Sequence, residues 1–254
     1  MILHAPIDLN ADVGEGFGRW SVGDDTVLLP LVTSANIACG FHAGDPVIMR
    51  RTCELAVRHA VRIGAHIGYS DLAGFGRREI GVPAAELRDE VSYQLGGLAA
   101  CAALAGGRVT YLKPHGALYH RCGTDPAAAE AVVRAAHGFD PALCIVGAPG
   151  SHLLTAARHH GMRGIAEGFA DRRYRPDGTL TGREDPGGVL GARDAADQAA
   201  RIAEGRPVIT SAGTELILNV RTVCVHGDRS DAADVARAIH RTLNALSRPV
   251  VAFT

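Results

Sequence analysis

The chain alternates short apolar runs with longer helical stretches along its length, and this alternation constrains its fold more than any other feature. Helix signals follow the apolar runs: Asp45-Pro46 and Asp125-Pro126 each place an N-cap residue before a first-turn proline. Between Pro83 and Ala105 apolar residues recur with a period near 3.6, which predicts a helix with one buried face. Strands that alternate with helices indicate parallel βαβ units.

These units favour a (β/α) barrel of seven or eight repeats over an open doubly wound sheet. The Gly-rich turn at 14–18 lacks the spacing of the dinucleotide fingerprint that such a sheet usually carries. No linker or shift in composition divides the chain, so we expect residues 1–254 to form a single barrel domain. The predicted strands are Ile7–Val13, Ser34–Cys39, Ile63–Gly68, Val109–Lys113, Leu143–Gly147, Arg163–Gly168, Pro207–Thr210, Thr222–His226 and a closing strand at Val250–Phe253.

Composition excludes several classes of function. The 254 residues include 26 Lys and Arg against 27 Asp and Glu, so the chain lacks the basic excess that nucleic-acid binding requires. The longest weakly polar run, Leu95–Gly107, is too short to span a membrane, which needs about 20 residues. The first ten residues show no secretory signal, and the six cysteines form no C-x-x-C pair. We therefore expect a cytoplasmic protein with reduced thiols and no zinc ribbon.

Lys113 is the only lysine in the chain, which otherwise uses arginine as its strong cation. Because Pro114 follows it, the chain cannot contain a Walker-type nucleotide loop, which needs Ser or Thr after the lysine. The lysine ends a predicted strand, where an ammonium suits a developing oxyanion or a phosphate. The alternative is a solvated surface side chain.

Polar side chains stand at or just after the ends of six predicted strands. In a parallel barrel all the carboxyl ends surround one mouth, where active sites lie, so we expect these residues to converge. The expected catalytic residues are Asp12, His42, His66, Lys113, His115 and Glu167, and the expected substrate-binding residues are Asn10, Arg77, Asp171, Arg172 and His226.

The residue types leave several roles open. Asn10 and Asp12 alternate with apolar neighbours and so share one strand face, either as site residues or as a hydrogen-bonded polar layer inside the barrel. His42 and His66 suit metal ligation with Asp12, but equally hydrogen bonding or general acid–base catalysis. The loop arginines can grip a carboxylate or phosphate bidentately, or form structural ion pairs. The spacing leaves the metal content undecided.

Six runs in the chain match a known family pattern. They are IDLNADVGEG (7–16), SANIACGFHAGDP (34–46), GAHIGYSDLAGFGRR (64–78), KPHGALY (113–119), EGFADRRYRPDGTL (167–180) and TVCVHGD (222–228). With them the chain resembles the LamB/YcsF family over nearly its whole length. It departs from that pattern where Ile67 and Ser70 replace prolines and where His120 replaces an asparagine. These departures concern loop rigidity and specificity and leave the expected catalytic groups in place.

The resemblance implies a distorted, TIM-like barrel akin to the glycoside hydrolase and deacetylase barrels. It also implies ATP-dependent opening of 5-oxo-L-proline (pyroglutamate) to L-glutamate, with ADP and phosphate as by-products. The implied partners are subunits B and C of a 5-oxoprolinase, and ATP with Mg²⁺ is the implied co-substrate. Two alternatives remain: a metal-dependent N-acyl or carbohydrate deacetylase that uses a bound divalent metal, and a non-catalytic subunit that binds the lactam.

Overall fold

A computed structural model describes residues 6–246 and 249–253 as a closed barrel of seven parallel strands surrounded by helices. The barrel strands are β1 (Asp8–Val13), β2 (Ser34–Ala38), β3 (Arg62–Ile67), β4 (Val109–Pro114), β5 (Cys144–Gly147), β6 (Arg163–Phe169) and β9 (Thr222–His226), while β7 (Val208–Ile209) and β8 (Glu215–Leu216) lie outside it. The order around the barrel is β1-β2-β3-β4-β5-β6-β9, and β9 pairs with both β6 and β1 to close it. This confirms the predicted (β/α) barrel.

Helices follow most of the barrel strands and cover the outer face of the barrel. Asp45, Asp125 and Ser151 cap three of them by accepting hydrogen bonds from first-turn backbone N–H groups. None of the described helices combines the length and the apolar character needed to cross a bilayer. The helices are α1 (Asp25–Leu28), α2 (Pro46–Arg58), α3 (Ala84–Leu104), α4 (Gly116–Thr124), α5 (Pro126–Phe139), α6 (His152–His159), α7 (Ala192–Ala203) and α8 (Ala232–Ala245), and a 3₁₀ turn (Leu29–Leu31) extends α1.

Two predicted strands do not belong to the barrel. The segment 207–210 contributes only the two residues of β7, which pair antiparallel with β8 in a separate small sheet. The expected closing strand at 250–253 is reduced to one bridge between Val250 and Ile7, because β9 already occupies the position beside β1. Residues 1–5, on which half of the argument about a secretory signal rests, lie outside the described residues. That residues 1–254 form one domain stays a prediction.

The inside of this barrel is unusually polar. Along β1, Asp8, Asn10 and Asp12 point inward, while the alternating residues pack outward in the hydrophobic core. Branched aliphatic side chains dominate the interior of most (β/α) barrels. Here the inward groups are buried and hydrogen-bonded across the strands: the Asn36 amide on β2 donates to the side-chain oxygens Asn10 Oδ1 at 2.6 Å and Asp12 Oδ1 at 2.7 Å. These polar layers support the groups at the mouth.

Gly64 on β3 makes room for one member of this polar network. A Cβ atom at Gly64 would lie 2.1 Å from ring carbons of Tyr111, which is far closer than van der Waals contact. The Tyr111 hydroxyl donates to Asn36 Oδ1 at 2.7 Å. The absent side chain at Gly64 therefore allows the ring to reach the amide that positions Asp12.

We predict that Gly64→Ala lowers the free energy of unfolding by about 1–3 kcal/mol, because the added methyl group overpacks the barrel interior. The matched control is Gly96→Ala on the exposed side of α3, where a Cβ meets nothing within 4 Å. That control should raise the free energy of unfolding by about 0.5–1 kcal/mol, since alanine favours the helix. Urea denaturation measures both. A Gly64→Ala protein as stable as the parent would contradict the close approach.

Candidate active site

The centre of the site is an ammonium group held between two carboxylates, which we call the Lys113 clamp (Asp12, Lys113 and Glu167). Lys113 Nζ lies 3.0 Å from Asp12 Oδ1 and 2.9 Å from Glu167 Oε1, and the lysine is only 2% exposed. Burial alone would lower the pKa of Lys113, but Asp12, Cys224 and Glu167 outweigh it and raise that pKa well above its ordinary value. Lys113 is thus a buried, ion-paired ammonium and not a surface side chain.

The two carboxylates of the Lys113 clamp differ in whether their oxygens have hydrogen-bond partners. Burial would raise the pKa of Asp12, yet its interactions with His66 and Lys113 hold that pKa well below its usual range. Asn10 donates its amide to Glu167 Oε1 at 3.0 Å. The other oxygen, Glu167 Oε2, is buried and has no hydrogen-bond partner among the described residues. A buried acceptor without a donor is costly and is available to a ligand.

Beside the clamp lies the histidine cluster, which consists of Glu15, His42, His66 and His115. Glu15 Oε1 is 3.5 Å from His42 Nε2 and 3.4 Å from His115 Nδ1, and the rings of His42 and His115 stack with centroids 3.8 Å apart. All four residues are buried. The cluster joins the clamp because His66 Nε2 lies 3.4 Å from Asp12 Oδ2.

Burial controls the charge states in the histidine cluster. Burial, reinforced by His66, lowers the pKa of His42 well below its ordinary value, and burial with the other two histidines does the same for His115. Burial and the nearby Asp12 charge raise the pKa of Glu15 well above the usual range for a carboxyl. Water-excluded neutral imidazoles of this kind can accept a proton or ligate a metal.

The sequence reasoning missed Glu15 as a site residue. It lies in the loop directly after β1, between Gly14 and Gly16, so it follows the same strand-end rule that selected the other residues. It also missed Cys224 on β9, whose Sγ lies 3.1 Å from Lys113 Nζ. Inward alternation along β9 from His226 to Cys224 is the signal that would have found it.

A carboxylate–histidine pair, Asp171 and His226, lies on the side of the Lys113 clamp opposite to the histidine cluster. His226 Nδ1 lies 3.0 Å from Asp171 Oδ1, and the backbone N–H of His226 donates to Asp171 Oδ2 at 3.2 Å. The imidazole stacks on the Phe169 ring at 5.4 Å, and Lys113 Nζ lies 5.4 Å from the centroid of the same ring. The pair therefore resembles a carboxylate-oriented histidine, with Phe169 as the wall between it and the lysine.

The two expected substrate-binding arginines have different surroundings. Arg77 and Arg183 both pair with Asp228, so one carboxylate links the loop after β3, the segment 170–191 and the loop after β9. Arg172 is buried and donates to the backbone carbonyls of Thr181 and Gly188, which holds its own loop in shape. Arg77 thus lies at the mouth of the barrel, whereas the Arg172 guanidinium is hydrogen-bonded to the backbone of its own loop. Its role toward substrate stays a prediction.

The structure brings most of the expected residues to one end of the barrel. The clamp, the histidine cluster and the Asp171–His226 pair meet there, while Asn10 lies one layer deeper and supports Glu167. All of these residues are at most 9% exposed. A ligand therefore reaches the lysine only if groups around the site move.

The chain is similar to known proteins over nearly its whole length. The model of the LamB/YcsF family matches residues 7–254. A relative from Nocardia farcinica, named as the A subunit of 5-oxoprolinase, is 53% identical over 249 residues, which cover 98% of this chain and 99% of the relative.

Solved structures agree with this similarity. A crystal structure described as a lactam utilization protein from Thermus thermophilus has a TM-score of 0.91 and 40% identity, covering 98% of this chain and all of the other. A family 4 carbohydrate esterase from Streptomyces lividans has a TM-score of 0.51 at 11% identity, covering 98% and 93%, and shares the barrel fold alone. From the match that spans residues 7–254, the chain belongs to the LamB/YcsF family.

Proposed function

We propose that the chain is the A subunit of a 5-oxoprolinase. In this proposal it opens the ring of 5-oxo-L-proline to give L-glutamate, and ATP is converted to ADP and phosphate. The names of the relatives support it: one is named as the A subunit of 5-oxoprolinase and another as a lactam utilization protein, and both align over 98% of this chain.

The observation in the site that carries the proposal is the Lys113 ammonium beside the unpartnered Glu167 Oε2. A five-membered lactam is locked in the cis amide form, so its carbonyl oxygen and its N–H point to the same edge of the ring. An ammonium donor next to a carboxylate acceptor is complementary to that edge. The lactam oxygen would receive a hydrogen bond from Lys113 while the ring N–H donates to Glu167.

The reaction needs activation because an amide carbon is a poor electrophile. Transfer of the terminal phosphoryl group of ATP to the lactam oxygen releases ADP and makes the carbon reactive. One water adds to that carbon, the ring C–N bond breaks as the nitrogen takes a proton, and a second water releases phosphate. Lys113 stabilises the charge on the oxygen and then on the phosphate, while Asp12 and Glu167 hold the ammonium in place.

The proton transfers fall to the Asp171–His226 pair. Since Nδ1 of His226 faces Asp171, the other ring nitrogen can take a proton from the attacking water and return it to the departing amine. The histidine cluster lies beside Asp12, with His66 Nε2 3.4 Å from Asp12 Oδ2. Arg77 and Arg183 are the cations for the substrate carboxylate or for phosphate, which would replace Asp228 as their partner.

The proposal includes two partners, subunits B and C, and ATP with Mg²⁺ as co-substrate. The chain itself contains no Walker motif, so the nucleotide site requires residues outside that pattern or a partner protein. We place the reaction in the cytoplasm, where ATP is available. All six cysteines are free thiols, as is usual in a reducing compartment.

A second candidate function is metal-dependent hydrolysis of an N-acyl group. One observation favours it, namely the buried histidine cluster with its carboxylate. A requirement for ATP distinguishes the two reactions, because a metal-activated water attacks an acyl group without a nucleotide. Release of acetate from N-acetylated sugars without ATP would favour this second function.

We predict that the isolated chain releases little or no glutamate from 5-oxoproline and ATP, and that adding subunits B and C restores turnover. The measurement is glutamate and ADP formation by the purified chain, by the B–C mixture and by all three together. The B–C mixture without this chain is the control and should also be inactive. ATP-dependent glutamate release at full rate by the single chain would contradict the proposed division into subunits.

We predict that Lys113→Arg lowers turnover of the three-subunit complex by about 100-fold or more, which corresponds to about 3 kcal/mol. Arginine keeps the positive charge but presents a planar fork where the carboxylates and the substrate oxygen need a compact ammonium. The matched control is Arg108→Lys at the exposed residue before β4, which should leave turnover unchanged.

Three readouts decide the outcome of the lysine exchange: glutamate formation, 5-oxoproline binding and thermal melting. A folded Lys113→Arg chain with normal turnover would contradict the catalytic role of the ammonium. Turnover and lactam binding that both survive in Lys113→Arg and in Glu167→Gln would instead favour a subunit that only delivers the lactam. Glu184→Gln on the exposed loop is the control for the carboxylate exchange.

A further inference from the structure

Two histidines of the histidine cluster have their outer ring nitrogens fixed by backbone carbonyls. His66 Nδ1 lies 3.2 Å from the carbonyl oxygen of Lys113, and His115 Nε2 lies 2.9 Å from that of Phe75. A carbonyl oxygen can only accept a hydrogen bond, so each ring carries a proton on that outer nitrogen. In the neutral ring the inner nitrogen is then an unprotonated acceptor.

These inner nitrogens face one another and a carboxylate. His66 Nε2 and His115 Nδ1 are 3.0 Å apart, and Glu15 Oε1 lies 3.9 Å from the first and 3.4 Å from the second. Three atoms that can act as acceptors therefore converge on one point, with no imidazole hydrogen between them. Buried acceptor atoms that face one another without donors are costly, and a cation between them satisfies all three.

His42, the remaining histidine of the histidine cluster, has no hydrogen-bond partner among the described residues. Neither of its ring nitrogens, nor Glu15 Oε1, has a hydrogen bond among the residues described, although His42 is 1% and Glu15 4% exposed. His42 Nε2 lies 3.5 Å from Glu15 Oε1. Polar atoms buried in this way cost free energy unless a ligand satisfies them.

The distances between donor atoms fit a metal ion. A tetrahedral zinc site with bonds of about 2.0–2.1 Å places neighbouring ligand atoms about 3.3–3.4 Å apart. The pairs His66–His115, Glu15–His115 and Glu15–His42 are separated by 3.0, 3.4 and 3.5 Å, and one atom from each residue falls within 4.8 Å of all the others. Histidine ligands that donate their outer N–H to a carbonyl are the usual arrangement around a protein-bound metal.

We propose that Glu15, His42, His66 and His115 bind one divalent transition-metal ion, with Zn²⁺ the preferred occupant. Imidazole and carboxylate ligands suit Zn²⁺ and its neighbours in the first transition row better than Mg²⁺ or Ca²⁺. Asp12, which the sequence reasoning considered as the carboxylate ligand, is already engaged, since its Oδ1 accepts from both Lys113 and Asn36. When bound, such an ion supplies Lewis acidity next to the lysine.

The site is tested by metal binding alone, without ATP, 5-oxoproline or partner subunits, so its failure is separate from failure of the proposed function. The full chain without an affinity tag is stripped with EDTA, loaded with Zn²⁺ or Co²⁺, passed through a desalting column and analysed for metal. We expect one ion per chain. Bound Co²⁺ should give the strong visible absorption of a four-coordinate site.

Single variants identify the ligands. We expect Glu15→Gln, His42→Ala and His115→Ala each to weaken Zn²⁺ binding by at least ~10-fold. Losses of that size already follow when a residue that only hydrogen-bonds to a metal ligand is removed. The matched control is His160→Ala, which removes a histidine paired with Glu130 at the end of α6 and should bind one ion as the parent does.

Two results would overturn the proposal. The first is a wild-type chain that retains no stoichiometric metal or gives no four-coordinate Co²⁺ spectrum, which decides the question even if a variant fails to fold. The second is undiminished binding in folded Glu15→Gln and His42→Ala chains.

Discussion

The ion pairs of Lys113 with Asp12 and Glu167 are the constraint on which the rest of the site depends. An ammonium inside a barrel is tolerable only when its charge is balanced and its protons are bonded. Removing one partner of such a buried pair typically costs about 3–5 kcal/mol, because the other charge is left uncompensated. The polar layer beneath it follows from this need, since Asn10 and Asn36 hold the two carboxylates in place.

Around this centre, the unpartnered groups indicate where ligands belong. Glu167 Oε2 lacks a donor beside the lysine, and Glu15 and His42 lack partners beside Asp12 among the described residues. The free oxygen of Glu167 suits the edge of a cis amide, whereas Glu15 and His42 suit a cation. The two proposals therefore concern adjacent but separate parts of one mouth. Asp228 links three loops at this end of the barrel through Arg77 and Arg183.

Alternation of strands and helices was sufficient to predict the barrel, because the outward-facing residues of each strand and the buried face of each helix leave a local apolar signal. The same rule located Lys113, His66 and His226 at strand ends. Which strand closes the barrel was not predictable. The run at 250–253 looks like a strand, but β9 fills the closing position because it pairs with both β1 and β6. Glu15 escaped notice because its two flanking glycines looked like a turn, and only tertiary packing shows that it meets three histidines.

The most direct test of the central claim uses the fact that Lys113 is the only lysine. Lysine labelled with ¹³C and ¹⁵N gives one side-chain NMR signal, whose pH titration reports the charge inside the barrel. We predict that Lys113 stays an ammonium beyond its ordinary pKa of 10.5, and that Asp12→Asn lowers this pKa. Because the pKa is raised in the folded chain, the clamp stabilises the fold below the unfolded pKa and loses this effect as pH rises through the folded one. Titration below 10.5, or an Asp12→Asn chain with the same curve, would contradict the account.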